Sequence, residues 1–337
     1  MTRDYKIDVM RVFACIMVLF CHSPQHYTGQ PGKVLVGIDN YFGMAWGPIL
    51  FFMISGACVL WSEREAIPFL KKRFSRILIP TIIWSLVYIF VECFWWKTAP
   101  EDSWKQKIPA MIFAPQYGLM WFMYMLISIY LATPILSRWL NHCSRSEVRF
   151  YLLLWGVTLF IPFLDLVGVN ASFLQHSNGY LYYFSGFLWT AVAGYYCRRY
   201  VHIERVKIWH VALSVLVLLT PAMIFLIKAK TGQLMDMSLG ILSMTTTVFA
   251  FVVIYNLKMP AFITSSLGQK IVLKISELSF GIYLIHMIFL FPFRLWIAQF
   301  NLHYAVQIPL TVVVVGICSF IVSLVISKLT IGKYIIG

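Results

Sequence analysis

Ten stretches of about 20 mostly apolar residues divide this chain of 337 residues. They cover 7–27, 41–61, 77–96, 119–139, 149–168, 180–197, 208–227, 239–257, 279–299 and 305–327. Lipid offers no hydrogen-bond partners to peptide groups, so a run of that length crosses a bilayer as a helix. The expected fold is therefore all-α: a polytopic membrane protein of ten transmembrane helices, read as one integral-membrane domain over 1–337. Composition agrees. Residues are 60% hydrophobic and only 12% charged, where a soluble domain carries about 25% charged residues.

The net charge of +14 does not indicate nucleic-acid binding. The basic residues lie between apolar runs and form no single patch. Their distribution sets an orientation instead. With a cytoplasmic N-terminus, nineteen Lys and Arg fall in inside loops and six in outside loops, while Arg11 and Arg294 lie within spans. That excess places both termini in the cytoplasm, in keeping with an even number of spans. The N-terminal run reads as an uncleaved first span, because His22-Ser23-Pro24 follows it and not a small-residue cleavage site. The seven cysteines contain no C-x-x-C pair, so neither a disulfide framework nor a metal site is expected. The connection 97–118 carries Trp104, Ile108, Met111, Ile112 and Phe113, a spacing that predicts a short amphipathic helix at the interface.

Two ionisable residues sit on the first span. Arg11 and His22 are eleven residues apart, about three helical turns, which puts both on one face roughly 16 Å apart along the axis. Charge inside a bilayer is expensive and marks a functional site by default. In that reading His22 is a general base able to take a proton from a hydroxyl, and Arg11 binds an anionic or carbonyl group. In the other, each snorkels to its nearer headgroup layer. Asp8 is one turn before Arg11, and is either its partner or a helix-start carboxylate.

Arg73 and Arg76, in Lys71-Lys72-Arg73-Phe74-Ser75-Arg76, also share a helix face. Two guanidiniums there hold a phosphate, or they are ordinary inside-loop charge. His286 ends the run Ser279-Phe280-Gly281-Ile282-Tyr283-Leu284-Ile285-His286 about two turns into the ninth span. It needs a polar partner or a wet cavity. Glu92 and Arg294 either pair or snorkel. Gly43-x-x-x-Gly47 and Ser55-Gly56 predict close helix packing, and Thr245, Thr246 and Thr247 predict hydrogen bonds between helices.

Together these segments resemble the acyltransferase-3 family of bacterial membrane acyltransferases, in particular its short members that consist of the membrane domain alone. The resemblance rests on five stretches in family order. They are Ile7-Asp8-Val9-Met10-Arg11 with Arg11-x10-His22; Ile49 to Gly56; Lys72-Arg73-Phe74-Ser75-Arg76 through Pro80; Trp121-Phe122 with Tyr130-Leu131 and Pro134; and Ser279-x-Gly281-Ile282-Tyr283-Leu284-x-His286. Val12 stands where the family usually carries glycine. The resemblance implies that Arg11 and His22 are the essential catalytic pair and that Arg73 and Arg76 serve acyl-CoA. Tyr283 and His286 fall in its late signature, with Asp8, Tyr283 and His286 as possible substrate or support residues.

The expected activity is O-acyl transfer, with acetyl as the group carried, from cytosolic acetyl-CoA (acyl-CoA) to a hydroxyl of a cell-envelope glycan or lipid-linked sugar. No permanently bound cofactor is expected. The expected location is the bacterial inner membrane, multi-pass. A transporter or flippase for an envelope precursor is the alternative; it requires no acyl-CoA. A ligand sensor is the third option, disfavoured because no loop is long enough for a signalling domain.

Overall fold

The computed structural model describes residues 3–23, 42–161, 179–203 and 240–337, together with single positions at 164, 169, 174 and 217. Every regular element among the described residues is helical. The main helices are α1 (Tyr5–His22), α2 (Leu50–Val59), α3 (Ala66–Phe90), α4 (Trp104–Ala110), α5 (Trp121–His142), α6 (Arg145–Thr158), α7 (Leu188–Tyr200), α8 (Ile241–Asn256), α9 (Ser266–Ile297) and α10 (Tyr304–Ser327). A wider π turn, Ala45–Ile49, leads into α2, and another, Val91–Trp95, prolongs α3.

Five stretches are long and apolar enough to cross a membrane: Phe42–Val59, Ala66–Trp95, Gly118–His142, Ser266–Phe300 and Tyr304–Ser327. They correspond to the second, third, fourth, ninth and tenth expected spans. Helix α1 matches the first, but Lys6, Asp8 and Arg11 dilute its apolar character. Residues 24–27 of that span, all but one residue of the seventh (208–227), and most of the fifth beyond residue 161 lie outside the described residues.

Three boundaries differ from the sequence reading. The third helix starts at Ala66, so the basic run is helical. The ninth starts at Ser266, thirteen residues before the expected 279, because Ser265 caps it by accepting from the Gly268 amide at 3.1 Å. The sixth span, expected over 180–197, is helical only from Leu188; Tyr182–Phe184 forms a 3-10 turn in front of it. A tyrosine-rich run is apolar by count, yet nothing in that count caps a helix.

Small residues set the closest crossings. A Cβ on Gly56 would stand 1.9 Å from the Ala191 carbonyl oxygen, and one on Gly194 1.9 Å from that of Met53, so α2 and α7 touch backbone to backbone. Gly43 and Gly47 pack in the same way against Cys21 and Val18 of α1. That pair therefore serves the bundle. Thr247 donates to the Ala45 carbonyl at 2.7 Å, the expected helix-to-helix bond, whereas the hydroxyls of Thr245 and Thr246 donate to carbonyls of their own helix.

Polar contacts sort the loops into two ends. At one end Asp4 meets Arg198 at 3.1 Å, Arg198 donates to the Ala57 carbonyl at 2.8 Å, and His142 meets Glu63 at 2.9 Å. Arg145 donates to the Tyr200 carbonyl, Lys6 to that of Tyr255 and Tyr5 to that of Ile263. These are loops that the charge pattern assigns to one side. At the other end Lys107 meets Glu92 at 2.6 Å. Glu92 thus pairs with Lys107 and not with Arg294. The expected short helix in 97–118 is present as α4.

Candidate active site

The site forms where α1 and α9 run side by side in the same direction. Asp8, Arg11 and His22 fall at helical spacing along α1. Ser276, Ser279, Tyr283 and His286 recur at intervals of three, four and three along α9. Each set makes one polar stripe, and the stripes face each other. In the first turn of α1 and nearly three turns into α9, Ser276 donates to Asp8 at 2.6 Å. Farther along, the rings of His22 and His286 stand 5.4 Å apart between centroids.

Asp8 organises the lower part. Its side chain is 1% exposed and takes Arg3 at 2.8 Å and Arg11 at 3.4 Å in addition to Ser276. A carboxylate so buried needs this neutralisation. The same hydrogen bond holds the Arg3 guanidinium even above its ordinary pKa. Asp8 is thus the partner of Arg11, as one of the two sequence readings has it. Arg11 also reaches the Cys58 sulfur at 3.6 Å.

Arg11, Arg73 and Arg76 line a single cavity of about 260 Å³, walled further by Phe122, Tyr130, Ser279 and Tyr283. Arg73 is held between the rings of Phe69 and Tyr130, with its guanidinium carbon 5.7 and 5.4 Å from their centroids. Three guanidiniums from two helices converge on one opening, against one acidic side chain, Glu277. Pockets for drug-sized ligands run to about 300–1,000 Å³. This one suits a slender chain whose bulky anionic head stays at the mouth.

The cavity ends at Phe122 and Tyr283, whose rings are 5.0 Å apart. The Tyr283 hydroxyl donates to the Leu119 carbonyl and is fixed there. His286 stands directly behind, its ring 5.9 Å from that of Tyr283. His286 Nδ1 is bonded to the Tyr283 carbonyl at 2.6 Å. Its Nε2 is buried with no hydrogen-bond partner among the described residues. A buried imidazole nitrogen left open in this way suits a transient proton or substrate contact.

Arg294 lies two turns beyond His286 on the same stripe and donates to the His22 carbonyl at 3.3 Å. It is buried. The sequence reading left Arg294 as a possible partner of Glu92 and did not name Ser276. Both were detectable as continuations of the α9 stripe that contains Tyr283 and His286. Next to this region Tyr88 and Tyr117 stack at 4.4 Å, and Trp96 stacks on Phe291 at 4.4 Å. Burial, and then the Glu92 carboxylate, push the Tyr117 phenol above its ordinary pKa, so it remains a neutral hydroxyl.

All seven residues singled out from the sequence thus lie on two connected levels. Asp8, Arg11, Arg73 and Arg76 surround the cavity or its base, His22 and His286 form the pair above it, and Tyr283 separates the levels. The sequence model of the acyltransferase-3 family, described as an acyltransferase domain, matches residues 4–328, which includes all seven. No curated protein and no solved structure matches the chain. The chain belongs to the acyltransferase-3 family and is a membrane acyltransferase.

Proposed function

We propose that the protein is a single-domain O-acyltransferase of the bacterial inner membrane with both termini in the cytoplasm. It takes an acyl group, acetyl in the simplest case, from cytosolic acyl-CoA. The acceptor is a hydroxyl of a cell-envelope glycan or lipid-linked sugar. The observation that supports this best is the cavity lined by Arg11, Arg73 and Arg76 that stops one ring short of the His22–His286 pair.

The donor's phosphates rest against Arg73 and Arg76 at the mouth, where guanidiniums bind phosphate oxygens bidentately. The pantetheine arm enters the cavity and carries the thioester toward Tyr283. His22 takes the proton of the acceptor hydroxyl while the hydroxyl oxygen attacks the thioester carbon. The carbon–sulfur bond breaks, and the coenzyme A thiolate leaves and recovers the proton. Roughly 16 Å of helix axis separates Arg11 from His22. Arg11 therefore acts on the donor arm, and Arg294, at the upper level, holds the turn that carries His22 through its backbone carbonyl.

Thermal shift of the purified protein with coenzyme A tests the donor site. The expected result is stabilisation that disappears in the Arg73→Ala, Arg76→Ala double variant. His22→Ala should fold, respond to coenzyme A and lose transfer by about 10²–10⁴-fold. Full transfer by a folded His22→Ala protein would falsify the general-base role. Stabilisation by a glycan with no response to coenzyme A points instead to transport.

A further inference from the structure

The arginine-lined cavity is charged at its mouth and aromatic at its blind end. Along α9 its lining runs from Ser276 to Tyr283, and along α5 from Tyr130 back to Phe122. Each stretch spans about 10–12 Å of helix axis. On α2 the lining is Ser55 and Phe51. Phe51 is the farther of the two from Ala57, whose carbonyl takes Arg198 among the basic loops. Three helices thus close the cavity with three rings: Phe122 stands 5.0 Å from Tyr283 and 6.1 Å from Phe51, centroid to centroid. Two of the rings are backed. Phe122 stacks on the fully buried Phe52 at 4.8 Å and 19°, and Phe52 meets Phe187 at 5.3 Å. Tyr283 is tied by its hydroxyl to the Leu119 carbonyl in the turn before α5. Rings packed in this way yield to an added methylene only at a cost.

We propose that Phe51, Phe122 and Tyr283 form a ceiling that sets the length of the acyl group the donor can carry. A short group such as acetyl fits beneath them, and a six-carbon chain does not. The inference rests on the proposed donor site, in which the phosphates stay at Arg73 and Arg76 and the thioester points at Tyr283. With the head held at the mouth, every further methylene of the acyl group is taken up at the blind end. A methyl group asks little of that space. A longer tail presses on rings that Phe52 and the Leu119 carbonyl hold in place. One methylene against a fitted apolar wall is worth about 10–200-fold in discrimination. Phe51 and Phe122 act by shape alone, since neither carries a group that the transfer step uses.

Binding of coenzyme A and its acetyl, butyryl and hexanoyl thioesters to the detergent-purified protein tests this without an acceptor. The Arg73→Ala, Arg76→Ala double variant, measured alongside, subtracts partitioning of the longer chains into detergent. The unaltered protein should bind the acetyl thioester as it binds coenzyme A, and the hexanoyl thioester at least about ten-fold more weakly, with butyryl between them. Phe122→Leu should recover most of the hexanoyl loss and leave acetyl binding unchanged. Phe51→Leu, at a partly buried ring, should recover part of it, and carries the test if Phe122→Leu does not fold. Hexanoyl bound as tightly as acetyl by the unaltered protein overturns the proposal, as does a discrimination that neither folded variant relaxes. Absence of any response to coenzyme A or its thioesters overturns the donor site itself, and the ceiling with it, so the two failures are told apart.

Discussion

Asp8 shows how a single buried carboxylate can order two arginines and a serine from distant parts of the chain. Asn at this position keeps an acceptor for Ser276 and removes the charge that Arg3 and Arg11 answer. Arg3 is more than half exposed and Arg11 about a third, so solvent screens much of the loss. The expected stability cost of Asp8→Asn is about 1–2 kcal/mol. Transfer should fall tenfold or more, because Arg11 loses the group that aims it; the unfolding midpoint and the transfer rate, measured on one preparation, separate the effects. Unchanged transfer would remove Asp8 from the site. The Asp8–Arg11 spacing was readable in the sequence as one helical turn. The contacts of Asp8 with Arg3 and Ser276 were not: Arg3 lies before the helix, and Ser276, though visible on the α9 stripe, is 268 residues away.

Among elements, α9 departs furthest from what its sequence advertises. Lys270, Lys274 and Glu277 break the apolar run, so hydropathy begins the span at 279, whereas the backbone is already helical from Ser266. Charge at the start of a helix interrupts the apolar signal without interrupting the hydrogen bonds. The polar stripe on α9 was visible as spacing, but that it faces α1 depends on packing between the two helices. Close crossings were more legible, since Ser55-Gly56 marked the contact that α2 makes with α7. Gly194→Ala should push those helices apart and cost about 1–3 kcal/mol. Gly156→Ala in α6 meets nothing within 4 Å and should stabilise by roughly 0.5–1 kcal/mol through helix propensity. Unfolding midpoints that move in the same direction for both would contradict the packing described.

For the whole molecule, the alternation of basic loops anticipated which ends lie together. Residues 3–6, 57–64, 142–145, 198–203 and 255–263 are tied to one another, while Glu92 and Lys107 meet at the other end. The sidedness that follows from the proposed function can be measured. With native cysteines replaced, Lys105→Cys should react with an impermeant maleimide in intact cells. Glu65→Cys should react only after permeabilisation. The reverse pattern would invert the molecule and place the arginine-lined cavity out of reach of cytosolic acyl-CoA. Charge counting could reach this alternation because it acts over whole loops. It could not reveal the two levels of the site, which depend on where one aromatic ring falls.

That ring, Tyr283, has a consequence beyond positioning. A catalyst that draws a water-soluble donor from one compartment and serves an acceptor in another must keep the two solutions apart. Here the arginine-lined crevice ends on a buried phenol pinned to a backbone carbonyl, with the imidazoles just behind it. In the proposed reaction the phenol that closes this crevice is therefore also the dam that keeps an energised membrane from discharging its protons through the enzyme.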